Sequence, residues 1–83
     1  MFYVYVLVSE IRDYIYVGMT DNLERRISAH NSGHNKTTRA YRPFWTLLTE
    51  PHPTRNDARA REKYLKSGVG KEFLKDLLKT LQR

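Results

Sequence analysis

Residues 2–9 form an unbroken β-branched and aromatic run, Phe2-Tyr3-Val4-Tyr5-Val6-Leu7-Val8-Ser9, with neither glycine nor proline in it. Such a run favours a strand, and apolar side chains on both of its faces make it a central one. A short polar break, Glu10 to Asp13, precedes a second strand at 14–18, so the two should pair as a hairpin. Side chains alternate along a strand: Tyr3, Tyr5 and Leu7 share one face, as do Tyr14, Tyr16 and Gly18. An even loop closed by Ser9 and Tyr14 pairs odd positions with even ones, placing Tyr5 and Tyr16 diagonally on one face. A Ser9–Asp13 closure without a bulge would separate them. Either tyrosine alone is an ordinary packing residue of a strand.

The rest of the chain offers two helices before a terminal third. Thr20 or Asp21 can cap a helix of about three turns running to Ser32, and Gly33 suits its left-handed end. Residues 34–42 read as a basic loop. Pro43 to Thr49 reads as a third strand, stopped by Pro51 and Pro53. Thr54 with Asp57 resembles a capping box for a helix to about Lys66, which Gly68 and Gly70 then break. The last helix carries Phe73, Leu74, Leu77, Leu78 and Leu81 on one stripe. The order is ββαβαα: an α+β domain, a three-stranded antiparallel sheet flanked by helices.

The 83 residues are one domain, 1–83, small enough that folding buries only about 60% of the unfolded surface. Cysteine is absent, which removes disulfides and thiolate metal sites and fits a cytoplasmic location. No stretch approaches the roughly 20 apolar residues of a membrane span. Net charge is +6, and its distribution is uneven. Between Arg25 and Thr49 stand five cations (Arg25, Arg26, Lys36, Arg39, Arg42) and no acid, whereas the remainder holds 10 cations against 9 acids. Such a patch suits nucleic-acid phosphates, although a merely soluble basic surface has the same composition.

Three further residues carry chemistry. Leu23 and Ile27 mark the apolar stripe of the first helix; His30 falls within it and Arg26 on its border, four residues apart. A guanidinium fork suits phosphate oxygens and never loses its charge; a snorkelling arginine and a surface histidine are the plainer alternative. On the second helix, Ala58 and Leu65 define the inward stripe and Glu62 lies between them. An inward carboxylate needs a counter-charge or a metal. A hard ion such as Mg²⁺ or Mn²⁺ would accept it together with waters and a phosphate oxygen, and a salt bridge to Arg26 or another cation would also satisfy it.

Taken together, these residues resemble the GIY-YIG nuclease superfamily, in particular its small stand-alone, excision-repair-endonuclease-like members. Tyr3-Val4-Tyr5 matches the first name motif, with Tyr3 in place of its glycine, and Tyr16-Val17-Gly18 matches the second. The stretch from Gly18 to Gly33 is similar to the family's loop and helix, with its arginine at Arg26 and histidine at His30. Ala60-Arg61-Glu62-Lys63-Tyr64-Leu65-Lys66 is similar to the helix of the metal-binding glutamate, Glu62. An asparagine that larger members carry further on is replaced by Leu74.

The resemblance implies an endonuclease hydrolysing phosphodiester bonds with one Mg²⁺ or Mn²⁺ held by Glu62, weakly selective or structure-selective, acting on DNA in repair or recombination, with RNA also compatible. Arg26 would stabilise charge at phosphorus. Tyr5, in preference to Tyr16, would take a proton from the attacking water, and Tyr16 would orient water or phosphate. His30 would relay a proton or hold an oxygen. Gly18 would permit close backbone approach. Lys36, Arg39 and Arg42, with Lys66 and Lys71, would grip the backbone as a monomer or weak dimer. A nucleic-acid-binding module of the same fold that does not cleave is the alternative.

Overall fold

The computed structural model describes residues 1–81. β1 (Phe2–Ser9) is the middle strand of the sheet, with β2 (Ile15–Thr20) on one side and β3 (Phe44–His52) on the other, both antiparallel to it. Its alternation explains the layering. Val4, Val6 and Val8 face α2 (Arg55–Lys66) and α3 (Gly68–Leu81), meeting Val17, Leu47, Ala58, Leu65 and Leu74. Tyr5 and Leu7 face the other way, with Phe44, towards Tyr16 and the Leu23 and Ile27 side chains of α1 (Leu23–Asn31). A helical layer thus covers each face of an α+β domain in the expected order.

Four local expectations differ from the structure. The α1 cap is Asn22, not Thr20 or Asp21: extended at φ −145° and ψ 92°, it accepts Arg25 N–H at 3.1 Å on Oδ1. Thr20 is spent one step earlier, its Oγ1 accepting Asn22 N–H at 3.1 Å. Gly33 does take a positive φ, 84°, just past the helix.

β3 runs through Pro51 to His52. Proline is tolerated there because β3 is an edge strand, where one side of the backbone needs no partner. The same strand has a bulge opposite Val6 and Leu7, which pair with Leu48 and Thr46; the extra residue, Leu47, turns into the valine-lined core.

Gly68 and Gly70 do not separate α3 from α2 by breaking a helix; both lie within the first turn of α3. Ser67 makes the junction. Its N–H closes on Tyr64 O, its Oγ accepts Gly70 N–H at 3.2 Å, and its carbonyl accepts Lys71 N–H at 2.8 Å. The apolar stripe of α3 is buried only in part. Leu74 is fully inside and Leu77 and Leu78 pack on the core, but Phe73 and Leu81 are exposed. Phe73 lies under the Arg61 guanidinium, 5.6 Å from its ring centroid. Arg61 also binds Glu50 through two 2.9 Å hydrogen bonds, which fasten α2 to β3 and hold the Glu50 carboxyl below its ordinary pKa.

The two glycines of α3 make opposite tests. A Cβ on Gly70 would stand 2.0 Å from the Tyr64 carbonyl oxygen, whereas one on Gly68 would meet nothing within 4 Å. Gly70→Ala should therefore cost about 3 kcal/mol in urea unfolding, and Gly68→Ala should leave stability unchanged or raise it by about 0.5 kcal/mol.

Candidate active site

The hairpin register is the one that joins the tyrosines. Ser9 N–H donates to Tyr14 O at 3.0 Å, and the ladder beyond pairs Leu7 with Tyr16 and Tyr5 with Gly18. The Tyr5 and Tyr16 ring centroids are 6.1 Å apart. Gly18 makes this arrangement sterically feasible. A Cβ there would lie 2.6 Å from Tyr5 Oη and 2.9 Å from Tyr16 Cε2. Gly18 is itself buried, so the close approach it permits is by the two phenols, not by a phosphate against its backbone.

From α1, His30 enters the same space. Its Nε2 is 2.9 Å from Tyr5 Oη and its Nδ1 is 2.8 Å from Thr38 Oγ1. Tyr5, His30 and Thr38 are all completely buried. The His30 ring also packs on Tyr16, centroid to centroid 4.7 Å. Burial, and then the charge of Arg26, push the His30 pKa below its ordinary value, so the imidazole is neutral at pH 7. Arg26, one turn earlier, is exposed, and its guanidinium stands beside both phenols. It also lines the clefts at the far end of β2 with Thr20 and Asp21, facing Arg55 of α2 in one of them.

The two tyrosines have different surroundings. Burial pushes the Tyr5 phenol up to about 12, and the neighbouring Arg26 only partly opposes it. Tyr16 is half-buried and lines an open cleft of about 350 Å³. The two phenols are therefore unequally accessible: Tyr5 is sealed in the interior, and Tyr16 is only partly covered.

That cleft runs over the free edge of β2. Tyr14, Ile15, Tyr16 and Val17 form one wall, and Leu65, Lys66, Lys71, Leu74 and Lys75 form the other. Glu62 lies one turn before Lys66 on the same helix, only 7% exposed. Its two oxygens meet Arg59 Nη1 at 3.4 Å and Lys66 Nζ at 3.1 Å. Those cations, and not Arg26, are its ion-pair partners. Both cations are largely exposed and can swing away, so a hard carboxylate oxygen can be released to a hydrated Mg²⁺ or Mn²⁺. Among the described residues there is no group of three or more His, Cys, Asp or Glu side chains suited to a metal, so a fitting ion would take its other ligands from water and substrate.

Lys36, Arg39 and Arg42 are exposed on the segment joining α1 to β3, with Arg42 Nη1 donating to Arg39 O at 2.7 Å. Tyr41 of that segment stacks on Tyr14 at 3.8 Å, which fastens it next to the cleft. Thr38 and Lys75 escaped sequence reasoning. Lys75 had a signal, since it follows Lys71 by one helical turn. Thr38 had none, being one of two adjacent threonines in a polar loop.

The fold and these side chains define a domain of the nuclease type. The family model for the GIY-YIG catalytic domain matches residues 1–75. A UPF0213 protein of Clostridium perfringens is 40% identical over 67 residues, 80% of this chain and 71% of the relative. One from Pediococcus acidilactici is 39% identical over 79 residues, covering 92% and 80%. The solution NMR structure of a UPF0213 protein from Bacillus halodurans superposes with a TM-score of 0.55 at 36% identity, covering 93% of this chain and 85% of that one. The chain belongs to the GIY-YIG family, whose catalytic domains are nucleases, and resembles its small UPF0213 proteins.

Burial of Tyr5 ties stability to pH on the alkaline side. Its folded pKa exceeds the ordinary value of 10.0, so the stabilisation from its neutral form is complete below pH 10 and is lost as pH rises towards 12. Over that interval wild type should lose about 2–3 kcal/mol more unfolding free energy than Tyr5→Phe, measured by urea titration at each pH. On the acid side, the His30 ring signals in an NMR titration should stay those of a neutral imidazole as the pH falls through 6.5.

Proposed function

We propose that this chain is a divalent-metal-dependent endonuclease that hydrolyses phosphodiester bonds of DNA, and of RNA where its structure allows, selecting substrates weakly or by structure. One observation carries the reading: Tyr16, packed with Tyr5 and His30 beside the Arg26 guanidinium, lies on the edge strand β2, and the cleft that runs over that edge bears Lys66, the ion-pair partner of Glu62, on its other wall.

A strand crossing the β2 edge would set its phosphates against Lys66, Lys71 and Lys75, with Lys36, Arg39 and Arg42 on the flank. These contacts are to backbone and carry little sequence information. Arg26 would hold the scissile phosphate and meet the negative charge that builds on its oxygens. Tyr16 would take the proton of a water whose oxygen bonds to phosphorus as the bond to the leaving oxygen breaks; that oxygen takes its proton from solvent. Mg²⁺ or Mn²⁺, held by Glu62, would supply Lewis-acid stabilisation at the phosphate. Arg59 and Lys66 pair with the carboxylate until then.

The second reading is a binding module of the same fold, in which Glu62 serves only as the shared anion of Arg59 and Lys66. A panel of flap, branched, nicked and plain duplex DNA and structured RNA, with Mg²⁺ or Mn²⁺, separates them. Cleavage should fall by about 100-fold or more in Arg26→Ala and in Glu62→Ala, with binding retained. A triple Lys66, Lys71, Lys75→Ala variant should instead weaken binding and flatten its salt dependence. Equal residual cleavage in wild type, Arg26→Ala and Glu62→Ala would leave the binding module.

A further inference from the structure

The cleft over the β2 edge is more apolar than a phosphate backbone requires. Leu65 and Leu74, both buried core residues, line it together with Ile15 and Val17 of β2. Its cations, Lys66, Lys71 and Lys75, are exposed and so stand at its rim. Lys66 is engaged by Glu62, whereas Lys71 and Lys75 make no ion pair among the described residues. Three rim lysines suit any nucleic-acid backbone. The leucine floor does not, because sugar and phosphate oxygens lose water there without gaining a partner. A duplex, its bases stacked inside, has nothing to place in a space of about 350 Å³ lined in this way.

The hairpin register adds a second element. Ser9 N–H donates to Tyr14 O, so the hydrogen-bonded positions along β2 are Tyr14, Tyr16 and Gly18. Ile15 and Val17 fall at the alternate positions, where backbone N–H and C=O point away from the partner strand. β2 has no neighbour on that side, so these groups lie along the free edge with no protein partner among the described residues. A planar group entering over Leu65 and Leu74 therefore finds an apolar surface beneath it and donors and acceptors beside it. A nucleobase has the matching make-up: a π-face, and an edge of donors and acceptors.

We propose that this cleft is a base-binding subsite, in which one unpaired nucleobase packs on Leu65 and Leu74 with its edge against the β2 backbone at Ile15 and Val17. It rests on the reading of this edge as the face that meets nucleic acid, and it names the substrate class: a segment with at least one nucleotide out of its pair. The adjoining phosphates lie on Lys66, Lys71 and Lys75. Asp13, which also lines the cleft, repels phosphates at the hairpin end and keeps the backbone along the lysines. Two outward backbone positions suit more than one base, so binding follows pairing state and not sequence.

Binding measured without metal tests the subsite apart from cleavage. In EDTA at fixed ionic strength, fluorescence anisotropy compares a labelled single-stranded DNA, the RNA of the same sequence, the duplex and an abasic strand of equal length. Wild type should bind the better of the two single strands about tenfold tighter than the abasic strand. It should also prefer that strand to the duplex, despite the duplex's higher charge density. Ile15→Trp fills the cleft from a half-buried edge position and should bring the strand and the abasic strand to equal affinity, with salt dependence unchanged.

Equal wild-type affinity for the strand and the abasic strand overturns the proposal and leaves the nuclease reading standing, as does tighter binding of the duplex. A strand preference that survives Ile15→Trp also overturns it. So does loss of oligoglutamate binding, and not of strand binding, in that variant, which would assign the cleft to an acidic peptide. Should Ile15→Trp fail to fold, the wild-type comparison still decides. Base-dependent binding without cleavage in Mg²⁺ upholds the subsite and counts against the nuclease reading alone.

Discussion

The pairing of Tyr5 with Gly18 is the constraint from which the site follows. An antiparallel pair fixes which side chains share a face, and a slip of one residue would send Tyr16 to the valine core. The register is held twice. On the α2–α3 face, Val4, Val6 and Val17 must be inside; on the α1 face, only a residue without a Cβ leaves space for the Tyr5 hydroxyl. Because both faces are covered, the alternatives that a two-stranded ribbon would allow are closed, and the phenols arrive together without any ligand to gather them.

Much of this was legible in the chain. The two-faced run at 2–9, the even hairpin loop and the stripe of α1 specify the sheet, the tyrosine pair and the neighbourhood of Arg26 and His30, because they rest on periods of 2 and 3.6 that side-chain burial enforces. The inward position of Glu62 between Ala58 and Leu65 was readable for the same reason. What escaped reading depended on competition between near-equal local choices. Thr20, Asp21 and Asn22 are all competent caps, and the choice among them follows from Thr20 being used in the preceding turn. Pro51 looks like a stop unless the strand is known to be an edge. The unequal burial of Tyr5 and Tyr16 depends on where α1 and the 34–43 segment settle over the sheet, which neither tyrosine's own neighbours encode.

The electrostatic design is graded across the β2 edge. On the α1 side a neutral imidazole and a phenol of raised pKa are kept uncharged by burial, next to one exposed guanidinium. On the α2 side a nearly buried carboxylate is compensated by two exposed cations. The cations are thus groups that can move, while the buried Tyr5 and His30 are neutral hydrogen-bonding ones. A polyanion arriving at the edge meets mobile cations first and fixed dipoles beneath them, an order that lets long-range attraction and short-range geometry be set by different residues.

The free edge of β2 has a consequence of another kind. An unpaired strand edge is a template on which a stray extended chain can add, and small sheets protect such edges or aggregate. Here the edge cannot be covered by a permanent loop or a second subunit without closing the cleft that Tyr16 lines. The flanking lysines at 66, 71 and 75 offer the protection that remains, since adding a strand would crowd their ammonium groups out of water. Replacing them with neutral residues would thus expose the chain to self-association, a cost in solubility that would appear at high concentration even in the absence of nucleic acid.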